Sequence, residues 1–169
     1  MSALETPEVE YLDGVGQARN GFGWNHGIVH AAMMMTLRDC AEYGYGGGSW
    51  TFRIGKVDGT TDVLIADAAF VSYERMEPLT EEDREEPPFA PDVAIEVREK
   101  DEDGARRERK ISRYLATGSV LVLDVDPTTR TIRAHARDGI TTYAKGEVFA
   151  HDTVAWLRFD VADVFADLD

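Results

Sequence analysis

Three things are scarce in this chain: cysteine, long apolar runs and positive charge. Cys40 is the single cysteine, so no internal disulfide can form, and a lone thiol fits a reducing compartment. No apolar stretch approaches the ~20 residues that a membrane-crossing helix needs. The opening residues, Met1-Ser2-Ala3-Leu4-Glu5-Thr6-Pro7-Glu8, lack the basic and apolar regions of a secretory signal. A cytoplasmic protein with no membrane partner is expected. Lys and Arg number 18 against 32 Asp and Glu, a formal net charge of −14. That field repels phosphates and argues against non-specific coating of DNA. Much of the acid sits at the edges, in residues 77–86 and 160–169, which leaves a local nucleic-acid site open. Internal repeats and low-complexity blocks are missing too, and 169 residues suit one domain over residues 1–169.

What the chain does have is organised around Pro91-Asp92-Val93-Ala94-Ile95-Glu96-Val97-Arg98. Asp92, Ala94, Glu96 and Arg98 alternate with Val93, Ile95 and Val97, which predicts a strand with one charged and one apolar face. The segment reads as central, and carboxylates on a central strand are costly unless paired or holding a metal. A helix follows over about 104–117, with Gly118 placed to end it. Arg106, Arg107, Arg109, Lys110 and Arg113 face the single Glu108 there, a basic patch suited to an anionic partner. Ile111, Tyr114 and Leu115 make its apolar side.

Before this unit, Glu10-Tyr11-Leu12-Asp13-Gly14 reads as a short strand ending in an Asp-Gly turn. Asn25 is a plausible N-cap for a helix ending near Tyr43-Gly44, with Ile28 and Met35 on its apolar stripe. His26 and His30 stand i,i+4 on it. No Glu follows His26 and no thiolate cluster completes a metal site, so a surface or phosphate-facing role near the helix start is preferred. Gly46-Gly47-Gly48 reads as a flexible turn, because no Lys-Ser or Lys-Thr follows to make a phosphate loop. Asp58-Gly59 marks another turn. The nearly unbroken apolar run 63–71 is a strand buried on both faces, interrupted by Asp67. Residues 74–88 read as an exposed acidic loop. Strands over 120–125, 131–136 and 140–143 and a last helical turn near 161–165 complete an α+β domain. Ile28, Met35, Leu64, Ile95, Val97, Leu115, Val122 and Leu123 are the expected core.

Asp67, Asp92 and Glu96 are the costly carboxylates, with Lys110 on the intervening helix. Carboxylates converging from adjacent strands suit a hard divalent cation, Mg²⁺ (or Mn²⁺), and a nearby Lys can hold or deprotonate the attacking water and stabilise phosphate charge, as catalytic base or phosphate anchor. Asp67 and Glu96 are expected close enough to share one cation, with Asp92 nearer the edge of the same pocket.

The order and spacing of several of these segments resemble the Uma-type family of endonuclease-like proteins, in the restriction-endonuclease-like PD-(D/E)XK superfamily. The resemblance rests on residues 10–14, on His26-Gly27-x-Val29 and on Ala66-Asp67-Ala68-Ala69-Phe70-Val71. It continues through residues 91–97, Lys110-x-x-x-Tyr114-Leu115-x-x-Gly118 and Val125-Asp126-Pro127. It implies a restriction-endonuclease-like mixed β-sheet flanked by helices, acting as a metal-dependent endonuclease on DNA and forming a homodimer. Asp67 would be the first metal-binding acid and Glu96 the second. Arg98 stands where the superfamily has its Lys. A guanidinium binds phosphate but is a poor proton acceptor, so Lys110 becomes the expected catalytic Lys, ahead of Lys100. Arg98, Arg106, Arg109, Arg113 and His26 are then the expected nucleic-acid contacts. Ala66 replaces a usual Pro, and Arg98-Glu99-Lys100-Asp101 replaces a small Ser-Pro turn. That second departure supports an alternative, a catalytically inactive module of the same fold that binds nucleic acid or protein. A third reading makes the carboxylates purely structural, in Asp92–Arg106 or Glu96–Lys110 ion pairs.

Overall fold

The structure of the protein is a computed structural model that describes residues 8–19, 21–57 and 60–168. The Asp58-Gly59 turn and the opening residues 1–7 lie outside the described residues.

The chain opens with a hairpin, β1 (Val9–Leu12) and β2 (Val15–Ala18), joined by Asp13 and Gly14. Both turn residues have positive φ, 54° and 74°, which the two-residue turn demands and which Asp and Gly tolerate. Helix α1 (Trp24–Arg38) follows. Its N-cap is Gly23 and not Asn25, and the Gly23 amide is taken by a distant side chain, Glu99 Oε1, at 3.1 Å. The helix stops at Arg38, earlier than its sequence pattern suggests, because the chain must enter the long strand β3 (Gly44–Val57).

The glycine run is strand, not turn. A Cβ on Gly46 would lie 2.9 Å from Leu37 Cβ, and one on Gly48 would lie 3.0 Å from His30 Nε2. Glycine here lets α1 pack directly against β3. That packing also turns the helix so that His26, Val29, Met33 and Leu37 are buried, while Met35 is exposed and Ile28 half-buried. The stripe read from Ile28 and Met35 is therefore rotated from the real one.

Strand β4 (Thr60–Ser72) pairs with β3 along its length. Its other edge is shared by β1 at Val63 and by β5 (Val93–Val97) at residues 68–70. The acidic segment between them holds two short helices, α2 (Tyr73–Met76) and α3 (Glu81–Glu85), where an open loop was expected. Helix α4 (Gly104–Ala116) then connects β5 to a parallel neighbour, β6 (Leu121–Asp126). Asp103 caps its start by accepting from the amides of Ala105 and Arg106, and Gly118, at φ 125°, makes the exit.

Strands β7 (Thr131–Ala136) and β8 (Gly139–Ala144) extend the sheet antiparallel. Among the described residues it is eight-stranded, in the order β2-β1-β4-β5-β6-β7-β8 with β3 on the far side of β4. A small pair, β9 (Val148–Ala150) with β10 (Arg158–Asp160), and α5 (Val161–Val164) close the chain. None of the described helices is long and apolar enough to cross a membrane.

Two cores flank the sheet. Val29, Met33 and Leu37 of α1 pack on Ile95, Val97 and Leu123, while Ile111 and Tyr114 of α4 pack on Ala94, Leu64 and Val122. Strand β5 is thus buried on both faces, including the face that its alternation marks as charged. Leu115, expected in the core, is half-buried.

Candidate active site

Strand β4 is irregular at Asp67. Leu64 and Ala66 pack in the core under α4, yet Ala68 and Phe70 pack in the core under α1. A regular strand would keep all four on one face, so the backbone switches face between them. The residue opposite on β3, Ser49, is in the left-handed region at φ 47°. Such irregularities re-aim side chains, and this one aims Asp67.

Ala68↔Ile95 is the last paired position of β4 and β5 on that side. Asp67 and Glu96 come next on their strands, where the two strands part. The Val97 amide donates to Asp67 Oδ2 at 2.7 Å in place of a ladder bond. Both carboxylates line one cavity of about 450 Å³, along with Glu10, Arg19, Arg106, Arg107 and Lys110. Asp67 and Glu96 therefore face one cavity, and the Asp67 charge acts on Glu96.

Helix α4 supplies the cations. Arg107, Lys110, Ile111 and Tyr114 are its buried residues, spaced i, i+3, i+4, i+7. One stripe therefore carries both charge and apolar packing, rather than a basic face opposed to an apolar one. Lys110 Nζ donates to Glu96 Oε2 at 2.8 Å and to the Ile65 carbonyl at 2.8 Å, and lies 2.6 Å from Glu10 Oε1. The Tyr114 hydroxyl reaches Glu96 Oε1 at 3.3 Å. Arg107 donates to the Glu96 carbonyl at 2.7 Å and is itself held by Asp124 and Glu102.

On the other side, Arg19 Nη2 donates to Asp67 Oδ1. His26 Nε2 lies 3.3 Å from Asp67 Oδ2, and the Phe22 ring stacks on His26 with centroids 3.9 Å apart.

These contacts set opposite proton affinities. Burial raises Glu96 most, and the nearby charges of Asp67 and Glu10 add to it. Lys110 and Arg107 offset this only in part, leaving its pKa at about 7. Burial raises Asp67 too, but the contact from His26 and the charges of Lys110 and Arg19 outweigh it, and its pKa falls to about 2. Lys110 is pulled down by burial and pushed up more strongly by Glu96, Glu10 and Asp67, so its proton is held tightly.

Two buried carboxylates with different proton affinities, a protonated lysine and a third acid form a polar centre that can hold a cation, orient water and bind phosphate. Among the described residues no three His, Cys, Asp or Glu side chains are grouped to hold a metal ion. The carboxylate oxygens of Asp67 and Glu96 are of the donor type that Mg²⁺ takes, one or two carboxylates with several waters. Asp67 and Glu96 are the residues that would hold it.

Other expected site residues lie elsewhere. Asp92 precedes β5 at the end away from Glu96 and does not line the cavity. It accepts from the Ser72 amide and from Arg75, both at 2.7 Å, which ties α2 to the sheet. Its assignment as a metal ligand is corrected on that ground, and it pairs with Arg75 rather than Arg106. Arg98 is clamped on Asp124, at 3.0 Å through Nε and 2.6 Å through Nη2, and does not line the cavity. Arg109 and Arg113 reach Asp13 on the hairpin turn, and Arg113 also lies 3.2 Å from Asp62. His26 is buried under Phe22 and faces Asp67, not solvent. Arg106 alone of the five expected nucleic-acid contacts lines the cavity.

Glu10, Arg19, Arg107 and Tyr114 were not foreseen as site residues. For Glu10 a signal existed: it alternates with Leu12, and both are buried while Val9 and Tyr11 are exposed. A carboxylate on the buried side of a strand is a site candidate by the reasoning applied to Asp67. Nothing local marks Arg19.

The model of the Uma2 family, described as "Putative restriction endonuclease", matches residues 2–161. The chain belongs to this family. Among solved structures it is similar to one from Anabaena variabilis described as a putative nuclease of DUF820. Identity is 16%, the TM-score is 0.82, and the match covers 96% of this chain and 92% of that one. At that identity the likeness establishes the fold, a mixed sheet flanked by helices. No curated protein matches the chain.

Proposed function

We propose that this Uma2-family chain is a divalent-metal-dependent nuclease that hydrolyses phosphodiester bonds of nucleic acid. The observation that carries the reading is the meeting of Asp67 and Glu96 where β4 and β5 part, with Lys110 Nζ 2.8 Å from Glu96. The family's description and that of the solved neighbour add support.

Asp67, ionised at any physiological pH, would be the permanent cation ligand, and Glu96 would join it on losing its proton. A bound Mg²⁺ or Mn²⁺ would supply Lewis-acid polarisation of the phosphate and a more acidic water. Lys110, with its proton held tightly, would act as a donor to phosphate or to the attacking water rather than as a base. Tyr114 and Arg107 would fix the orientation of Glu96.

A catalytically silent binding module is the second reading. Its support is that Lys110 and Arg19 already neutralise the carboxylates, and that Glu99, Asp101, Glu102 and Asp103 also line the cavity, against Lys100. Titration with Mn²⁺, followed by calorimetry and by cleavage of single- and double-stranded DNA and RNA, decides between them. Nuclease action requires Mn²⁺ binding that is lost in Asp67→Asn and Glu96→Gln, with cleavage lost in parallel. Binding without cleavage of any substrate supports the silent module, and no binding removes the metal mechanism.

A further inference from the structure

The proposed mechanism gives Arg19 no role. The residue follows β2, its amide donates to the Glu8 carbonyl, and its guanidinium runs inward to Asp67. It occupies the acid that the proposed mechanism assigns to a cation.

A carboxylate offers about four lone-pair directions. On Asp67, Oδ2 accepts from the Val97 amide and faces His26, while Oδ1 carries Arg19. The acid is nearly saturated. A cation entering here would meet a guanidinium on the oxygen it needs, and the two positive charges would repel. Arg19 is also poorly served where it stands. Among the described residues its Nη1 is buried with no hydrogen-bond partner, and a buried unpaired donor is costly. The side chain is only 12% exposed, and its guanidinium lies 4.9 Å from the centroid of the Phe22 ring. A second position that used all its donors would compete well. Guanidinium matches phosphate through two parallel hydrogen bonds, and Arg19 lines the cavity where phosphate would sit.

We propose that Arg19 is a substrate-phosphate ligand held in reserve on Asp67, which it gives up to the divalent cation when a phosphodiester enters. The inference rests on the metal-site reading above. Cation and phosphodiester then bind with positive coupling, because each offers what the other displaces: the cation takes Asp67, and the phosphate takes Arg19. Without substrate, Arg19 keeps cation affinity low. By linkage the coupling is reciprocal.

The test measures Mn²⁺ affinity by calorimetry on the full chain, alone and with a phosphorothioate dithymidine dinucleotide. Arg19→Ala should bind Mn²⁺ about tenfold more tightly than the wild type without the dinucleotide, since a charged hydrogen bond no longer has to be broken. The dinucleotide should tighten Mn²⁺ binding to the wild type by more than it does to Arg19→Ala, where only the direct contact between cation and phosphate remains. Arg19→Gln keeps a polar, hydrogen-bonding side chain, a shorter one, without the charge and should behave as Arg19→Ala does. It carries the test if the alanine variant fails to fold. Mn²⁺ affinity that stays level or falls in Arg19→Gln, with binding still lost in Glu96→Gln, overturns the role of Arg19 and leaves the metal site standing. Absence of Mn²⁺ binding in the wild type and in both Arg19 variants overturns both.

Discussion

Replacing Lys110 by Met tests whether the centre of this protein is electrostatically poised. Lys110 is 8% exposed and touches three oxygens, from Glu96, Glu10 and the Ile65 carbonyl. Methionine keeps most of the stem and removes the charge, so Glu10 and Glu96 are left facing each other in the interior. Breaking a buried ion pair from one side typically costs about 3–5 kcal/mol. For a chain of this length, about 2–4 °C per kcal/mol implies a fall in Tm of roughly 6–20 °C. A pH dependence follows. The folded pKa of Glu96, about 7, lies above its unfolded value near 4.3, so the folded state binds more protons between them. Stability from Glu96 is therefore present below about pH 4.3 and is lost as pH rises toward 7 and beyond. Removing Lys110 raises the folded value further, so Lys110→Met should cost less at pH 5, where Glu96 is protonated, than at pH 8. Adding Glu96→Gln should return much of the loss. Urea unfolding of the three proteins, followed by circular dichroism at both pH values, measures this. Equal losses at pH 5 and pH 8, or a total loss under about 1 kcal/mol, would refute the account.

Three further substitutions probe the frame. Asp124 is 1% exposed, and the hydrogen bonds of Arg98 and Arg107, with His135 Nε2 3.8 Å away, overcome its burial and hold its carboxyl far below the usual carboxylate range. Its contribution is present above its unfolded pKa near 3.9 and lost as pH falls below it. Asp124→Asn should cost about 3–5 kcal/mol at pH 7 and flatten acid unfolding below pH 4, which a pH titration of urea midpoints would check. Gly46→Ala should lose roughly 1–3 kcal/mol, since the new Cβ meets Leu37 Cβ at 2.9 Å. Gly27→Ala, in helix α1 with nothing within 4 Å, should gain about 0.5–1 kcal/mol; matching Tm shifts for the two variants would sink the packing explanation.

The frame was legible where local chemistry decides it. Asp13-Gly14 announces its hairpin turn, Gly118 its helix exit, and the apolar runs around Ile95 and Leu123 their strands, because one residue type or one period suffices there. Asp67 and Glu96 were legible as a cost, since ionisable groups inside apolar runs demand partners. Their partners were harder to read, since Arg19 and Glu10 arrive through the hairpin and no spacing connects residue 19 to residue 67. Helix α1 was misread for a related reason. Met35 and Ile28 make a good amphipathic pattern, but the helix turns toward the side where Gly46 and Gly48 let it approach, and that choice belongs to β3. Asp92 was overread because its cost is answered across the loop by Arg75, at the wrong end of β5 for chemistry.

The position of the lysine follows from the topology. Strand β5 ends at Val97, and the next amide, Arg98, donates to the Val125 carbonyl at 2.8 Å as the chain closes against β6. The Arg98 side chain leaves with it and is captured by Asp124, which stands beside Glu96 across the parallel pair. A lysine at position 98 would face the same acid and be drawn from the cavity in the same way. A cation for Glu96 must therefore come from another element. Helix α4 is placed for this, because the crossover from β5 to β6 lays it over both strands. The stripe that packs Ile111 and Tyr114 against the sheet puts Lys110 above Glu96 and Arg107 above Asp124. Charge placement and core packing are then one requirement: a substitution that tilts α4, such as truncating Tyr114, should move Lys110 off Glu96 without touching either residue. Tyr114→Phe keeps the ring and loses only the 3.3 Å contact to Glu96, so it should spare the fold. Tyr114→Ala should weaken both stability and Mn²⁺ affinity. Undiminished Mn²⁺ affinity in a folded Tyr114→Ala would show that the metal site does not depend on the helix packing.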